Sequence, residues 1–255
     1  YLHRIARIPT SGARAVEPCE IRGEHYLVIP QLAVDIDGAP AGLDGGDSDS
    51  ARVVVVRVDD DVRIVDTLPV PGGEDAEFFT VGERHFLAVA NVRSGRGPYD
   101  LAQPQRIYEW SAVGLKLEFT VPGYAAKQWR HVPIADRHFV ALAQGVTVGG
   151  AHQSSVIYEW TGGALKAFQE VPSAWGYNWH HFTMDGTHYL AYADHVAPSV
   201  LLRWDGRGFE FVQDLIDSGG RAFASFSSDG EHYLLAARLN GASQLLRWNG
   251  DRFVV

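Results

Sequence analysis

The chain has 255 residues, 46% hydrophobic and 21% charged, with 31 acidic against 22 basic side chains and a formal net charge of −9. Such an acidic balance argues against nucleic acid or an anionic membrane as the main partner, and no apolar run is long enough to cross a bilayer as a helix. A single cysteine, Cys19, excludes an intramolecular disulfide framework and a cysteine-built zinc site.

Along the chain one motif recurs, His-Tyr/Phe-Leu/Val followed by alternating small and apolar residues. It begins at His25, His85, His138, His188 and His232, with spacings of 60, 53, 50 and 44 residues. Each unit reads as four strands. In the first, the His25 strand is followed by a long acidic loop, Asp35–Ser50, and Val58 stands where later units carry tryptophan. In the second, Glu77–Val81 precedes the His85 strand, the loop Val92–Pro104 follows, and Arg106–Trp110 and Leu115–Thr120 complete the set. The third opens on Gln128-Trp129-Arg130-His131 and reaches Val156–Trp160. The fourth runs from Asn178–Met184 through an Asp185-Gly186 turn to His188, Asp194-His195, Val200–Trp204 and Phe209–Val212. The fifth has Ala222-Phe223-Ala224-Ser225, an Asp229-Gly230 turn, His232 and Gln244–Trp248. Asp-Gly turns are hairpin chemistry because both residues tolerate positive φ. No segment keeps a 3.6-residue apolar period, so helix is not expected.

Four-stranded units at a period near fifty predict an all-β protein, a five-bladed β-propeller filling residues 1–255 as one domain. Residues 248–255 stop where a fourth strand should be under way and residues 1–9 align with the rest of it, so the ring is expected to close by pairing of the two termini. The start at Tyr1 is compatible with a removed leader or a trimmed end, and the sequence assigns the chain neither to secretion nor to the cytoplasm. Three lysines against nineteen arginines reflect a high-GC genome more than a function.

The run from Phe79 to Asn91 with Tyr108-Glu109-Trp110, and that from Phe182 to Asp194 with Tyr158-Glu159-Trp160, resemble the EAR (epilepsy-associated, or EPTP) repeat. The resemblance covers the second to fifth units well and the first weakly. It implies a propeller scaffold of the kind found in extracellular receptor-binding proteins, whose members are usually seven-bladed; five units depart from that.

The five repeat histidines, one per unit, are expected to anchor neighbouring blades by hydrogen bonds, because a catalytic group is needed once and a scaffold bond five times. Trp110, Trp160, Trp204 and Trp248 are expected to be wedges between blades, and Cys19 a small core residue. Function is sought where the repeats disagree. Eight residues before each repeat histidine stand Glu17, Glu77, Arg130, His180 and Ala224; six after it stand Gln31, Asn91, Gln144, Asp194 and Arg238. Strand direction sends both sets to one face, around the central channel. The third and fourth units concentrate the unusual groups there.

Two readings follow. In the first, the chain is a binding module for a protein, glycan or small molecule, with His181, Trp129, Tyr177, Trp179, Gln31, Asn91, Gln144, Asp194, His195 and Arg238 as the ligand surface. In the second it is an enzyme, a lyase, isomerase or cyclase acting by proton transfer. His180 or His131 would then be the acid/base, Arg130 would stabilise negative charge, and Glu77 or Glu17 would orient. A glycoside hydrolase fits less well, since only Glu17, Glu77 and Asp194 offer carboxylates on the ring. No cofactor motif is present, and no metal is assigned. His131, His180, His181, Asp194 and His195 lack ligand spacing, and the Asp35-Ile36-Asp37-Gly38 stretch lacks the rest of a calcium loop, which suits a solvated, flexible insertion. A monomer is expected.

Overall fold

A computed structural model describes residues 3–147 and 153–255. Its strands form five four-stranded antiparallel meanders, and no helix occurs among the described residues. The first blade is β1 (Glu17–Ile21), β2 (Glu24–Ile29), β3 (Val53–Val58) and β4 (Val62–Leu68). The second is β5 (Gly73–Val81), β6 (Arg84–Asn91), β7 (Gln105–Ser111) and β8 (Gly114–Val121). The third is β9 (Gln128–Ile134), β10 (Arg137–Ala143), β11 (Ser155–Trp160) and β12 (Leu165–Val171). The fourth is β13 (Gly176–Met184), β14 (Thr187–Asp194), β15 (Ser199–Trp204) and β16 (Phe209–Ile216). The fifth is β17 (Gly220–Ser228), β18 (Glu231–Arg238), β19 (Gln244–Trp248) and β20 (Phe253–Val254). The fold is thus a five-bladed β-propeller. Two compact units divide the chain, Tyr1–Ala126 with the first two blades and Lys127–Val255 with the other three.

The expected turns are present. Arg22-Gly23, Asp185-Gly186 and Asp229-Gly230 take positive φ at both positions, the type I′ geometry whose twist matches that of the strands it joins. The N-terminal segment, however, adds no strand to the fifth blade: β20 supplies that blade's outer strand, and residues 3–10 carry no strand. Ile8 instead packs against the first blade beside Ile29, Val54 and Val56, where burial of an apolar side chain outweighs a strand that Pro9 could not fully pair.

Within each unit, blades stack through alternating faces. In the fourth blade Trp179, Leu190, Tyr192 and Leu202 meet the third blade, while Tyr189, Ala191, Ala193 and Leu201 meet the fifth. Strands buried on both faces read as near-continuous apolar runs. The tryptophans act as wedges: Trp110 against Tyr26 (4.9 Å), Trp204 against Phe139 (5.3 Å) and Trp248 against Tyr189 (5.7 Å). Cys19 is buried beside Val28 and Val53, and burial holds its thiol protonated, pushed up to about 12.

Leu201 is fully buried between the fourth and fifth blades, so Leu201→Ala should destabilise by about 3 kcal/mol; urea denaturation checks this, and a loss below ~1 kcal/mol would contradict it.

The repeat histidines bond mainly within their own blades, not to neighbours as expected. His85 Nδ1 lies 3.0 Å from Thr80 Oγ1, and His232 Nδ1 lies 2.8 Å from Ser227 Oγ. Each pair sits directly across a hairpin, so the shortest available partner is on the adjacent strand. Only His232 also reaches the preceding blade among the contacts of the described residues, with Nε2 at 3.5 Å from Asp185.

The loop Asp35–Ser50 is also ordered, not the solvated insertion its composition suggests. Arg93, 4% exposed, donates to the carbonyls of Gly42 and Gly45 (2.8 Å each), to that of Leu43, and to Ser48 Oγ (2.9 Å). Its guanidinium lies 3.6 Å over the Tyr99 ring, and Tyr99 donates to the Gly46 carbonyl at 2.9 Å. A buried cation thus saturates loop carbonyls that would otherwise lack donors, and it ties this loop to the one after β6.

Candidate functional site

In the second unit, β9 and β13 carry the histidines singled out as acid/base candidates. His131 Nε2 lies 3.0 Å from His138 Nδ1, with the rings stacked at 5.2 Å. His181 and His188 repeat the arrangement at 3.0 Å and 5.2 Å. Burial, reinforced by the neighbouring His138, lowers His131 to about 3. Burial, with His188, His180 and Arg130 nearby, lowers His181 to about 4. His180 accepts from the Ser225 backbone N–H at Nε2 (3.1 Å) and lies 2.9 Å from Ser225 Oγ. Burial and the Arg130 charge lower it to about 4 as well. All three imidazoles are neutral near pH 7.

The first unit shows the same device with a different side chain. Glu17 Oε1 accepts from the Phe78 N–H at 2.9 Å, as His180 accepts from Ser225. In the first and fourth blades the residue eight before the repeat histidine thus reaches the next blade's first strand, whose edge away from its own ladder leaves backbone groups unpaired. Gln128 does likewise two residues earlier, accepting from Trp179 N–H at 2.6 Å. Glu77 is 6% exposed. Trp129 and Trp179 are both 0% exposed, so they are core residues rather than stacking platforms for a ligand. Trp179 packs on Tyr192 at 4.3 Å.

The polar set six residues after the repeat histidine is largely a set of loop anchors. Gln31 Nε2 donates to Arg52 O (2.9 Å) and its Oε1 accepts from Ser11 N–H. Gln144 Nε2 donates to Ser154 O at 2.8 Å. Asp194, 0% exposed, accepts from the N–H groups of Ala174, Trp175, Val196 and Ala197 at 2.8–3.0 Å and from Ser173 Oγ at 3.4 Å. Arg238 Nη2 donates to Ser218 O at 3.3 Å. Asn91 is fully buried, its side-chain amide without a partner among the described residues. These groups are polar because the connections they hold expose backbone donors and acceptors. A side chain at or just before the start of the third strand completes the device: Ser155, Ser199 and Ser243 Oγ, or Gln105 Oε1, accepts the backbone N–H of the same position.

Another column of the repeat gathers charged and aromatic side chains. Eleven residues before the repeat histidine stand Arg14, Glu74, Lys127, Tyr177 and Arg221, each preceded by Ala or Gly. In the second, fourth and fifth blades this residue is a β-bulge, with no partner across the ladder, and a bulge re-aims its side chain. The preceding glycine is obligatory. A Cβ on Gly176 would lie 2.3 Å from Tyr192 Oη, and one on Gly220 2.1 Å from Ser199 Oγ. In the first unit Arg14 pairs with Glu74 at 2.9 Å. In the second unit the Arg221 guanidinium lies 4.3 Å over the Tyr177 ring and Lys127 Nζ 5.7 Å from its centroid. His195 meets Tyr177 edge-on at 5.9 Å and Trp175 at 5.6 Å. Tyr177, His195 and Trp175 belong to the fourth-blade run that the sequence sets apart; Arg221 and Lys127 do not stand out there, although the small-residue column before the bulge marks the position. Among the described residues no three His, Cys, Asp or Glu side chains converge as metal ligands would.

The sequence profile of the EPTP domain matches residues 63–111, 165–205 and 208–249, just over half of the chain. A mouse protein, the thrombospondin-type laminin G domain and EAR repeat-containing protein, is 34% identical over 92 residues, which are 35% of this chain and 12% of that protein. Among solved structures, a thermostable family-43 glycoside hydrolase is similar with a TM-score of 0.51 at 11% identity, over 95% of this chain and 92% of that one. The Bombyx mori family-32 β-fructofuranosidase has a TM-score of 0.51 at 11% identity, over 96% and 62%. At that identity these two likenesses concern the fold alone.

Proposed function

Since the chain belongs to the EPTP-domain family, we propose that it is a binding module whose ligand docks on the rim of the second unit around Tyr177. The observation that carries this is Arg221, whose guanidinium carbon lies 4.3 Å from the centre of the Tyr177 ring, with no ion pair among the described residues. A guanidinium held over a ring with no carboxylate partner keeps N–H donors for an incoming acceptor, and its fork matches a carboxylate. His195 buttresses the tyrosine and is itself backed by Trp175, and Asp194 holds the backbone beside both. The ligand is therefore a protein or glycan presenting an acidic group.

The proton-transfer reading has less support. A general acid or base works best with a pKa near the working pH, and His131, His180 and His181 are displaced well below it. His180 also spends its Nε2 lone pair on Ser225, as Glu17 spends a carboxylate oxygen on Phe78.

Arrays of glycans and of extracellular proteins probed with the parent chain test the proposal. Arg221→Ala and Tyr177→Ala should each reduce the captured signal at least about tenfold, about 1.4 kcal/mol, with unfolding midpoints little changed. Retention of every parental signal by both variants would reject the rim as the binding surface.

A further inference from the structure

The first unit contains a cleft of 340 Å³ between its two blades, lined by Tyr26, Trp110, His85, Glu24, Asp66 and Arg22. Its origin lies in the repeat. Between the third and fourth blades the matching space is filled by an aromatic cluster: Phe139 packs on Phe168 (5.0 Å), Trp204 (5.3 Å) and Phe209 (5.8 Å). Arg137 lies over that cluster and pairs with Glu159 at 2.8 Å. Register maps Phe139 to Tyr26, Trp204 to Trp110, Phe209 to Leu115 and Phe168 to Val65, because Trp204 faces Phe209 across its hairpin as Trp110 faces Leu115. Two phenylalanines have thus become Leu and Val, and both smaller residues line the cleft. Arg137 maps to Glu24, which lines the cleft without covering it as a cation would, accepting from Tyr26 Oη–H (2.6 Å) and pairing with Arg57 (2.7 Å). The space opens because the aromatic filling and its cationic cover are both missing.

We propose that this cleft binds an uncharged saccharide of one or two rings. Tyr26 and Trp110 meet at 4.9 Å and 57°, forming an aromatic corner against which the C–H face of a sugar can pack. Around it stand acceptors, Glu24 and Asp66, together with a donor, Arg22, and His85. Hydroxyl groups both donate and accept, so they satisfy such a mixed rim, and because Arg57 pairs with Glu24 the remaining lining charges, Asp66 and Arg22, are opposite and give no net preference for a charged ligand. The volume sits at the lower end of the roughly 300–1,000 Å³ typical of small-ligand clefts. This site lies in the other unit from Tyr177 and Arg221 and does not depend on the rim reading.

Titration calorimetry of the full chain with maltose, cellobiose, lactose and chitobiose, each to about 10 mM, tests the proposal. At least one sugar should bind with a Kd near ~1 mM. Leu115→Phe with Val65→Phe, which restores the residues of the third and fourth blades, should fold at least as stably and weaken that binding about tenfold or more. Asp66→Ala, on the exposed rim, should weaken it several-fold without touching the packing. If no sugar binds, or if the filled double variant and Asp66→Ala both bind like the parent, the cleft is not a saccharide site. Arg221→Ala should leave this binding unchanged, so the outcome is separate from that of the array experiment.

Discussion

Acidification from pH 7 to pH 5 is expected to destabilise the protein steeply, by about 3 kcal/mol per pH unit below pH 6. His131, His180 and His181 are lowered by burial to about 3, 4 and 4, with His138, His188 and Arg130 the charged or titratable neighbours that add to the effect. On unfolding each imidazole regains its ordinary value near 6.5. Their contribution is thus fully present above pH 6.5 and is lost as pH falls towards 4, because the unfolded chain takes up protons that the folded chain refuses. One proton corresponds to about 1.4 kcal/mol per pH unit, and incomplete protonation of the unfolded imidazoles near pH 6 with partial uptake by the folded chain near pH 5 holds the total for three somewhat below the additive value. Urea midpoints at pH 7, 6 and 5 measure the slope. His131→Gln and His181→Gln should each flatten it, and a stability independent of pH over that range would mean the three rings are solvated and free to protonate.

Asp194→Ala should destabilise by about 4 kcal/mol. The carboxylate is fully buried and serves four backbone N–H groups, two before β13 and two in the turn after β14. Alanine leaves those donors without acceptors, and an unmet donor costs more than a typical hydrogen bond contributes. Asp194→Asn keeps one oxygen and should lose about half as much. Since Trp175 and His195 adjoin these turns, both variants should also alter near-ultraviolet circular dichroism. A loss below ~1 kcal/mol for Asp194→Ala would show that water replaces the carboxylate at little cost.

The blades could be read from the sequence because they leave local marks: a repeat histidine in every one, a tryptophan near the end of the third strand in all but the first, and Asp-Gly turns in the fourth and fifth. The positions around Asp194 and His180 were found but their work was not. A polar residue at a strand end reads the same whether it faces a ligand or saturates a neighbouring N–H, and only the approach of the next strand distinguishes the two. Trp129 and Trp179 were ambiguous in the same way, since alternation places them on one face of a strand without saying what covers that face. Arg221 escaped notice because a bulge shifts the register by one, which moves a side chain to the other face of the strand. The cleft beside Trp110 is the converse case. Leu115 and Val65 look like ordinary apolar substitutions until the aromatic cluster between the third and fourth blades shows the volume they leave open.

Arg93 bears on how this chain can vary. Its donors reach carbonyls of Gly42, Leu43 and Gly45 in one loop from a position at the root of another, and Tyr99 in that second loop seals the contact. The two loops therefore do not drift independently. A change of length in Asp35–Ser50 that displaces those carbonyls strands a buried charge, and a change after Asn91 that moves Arg93 strands the carbonyls. Tolerated variants of this protein should alter the two loops together or spare both.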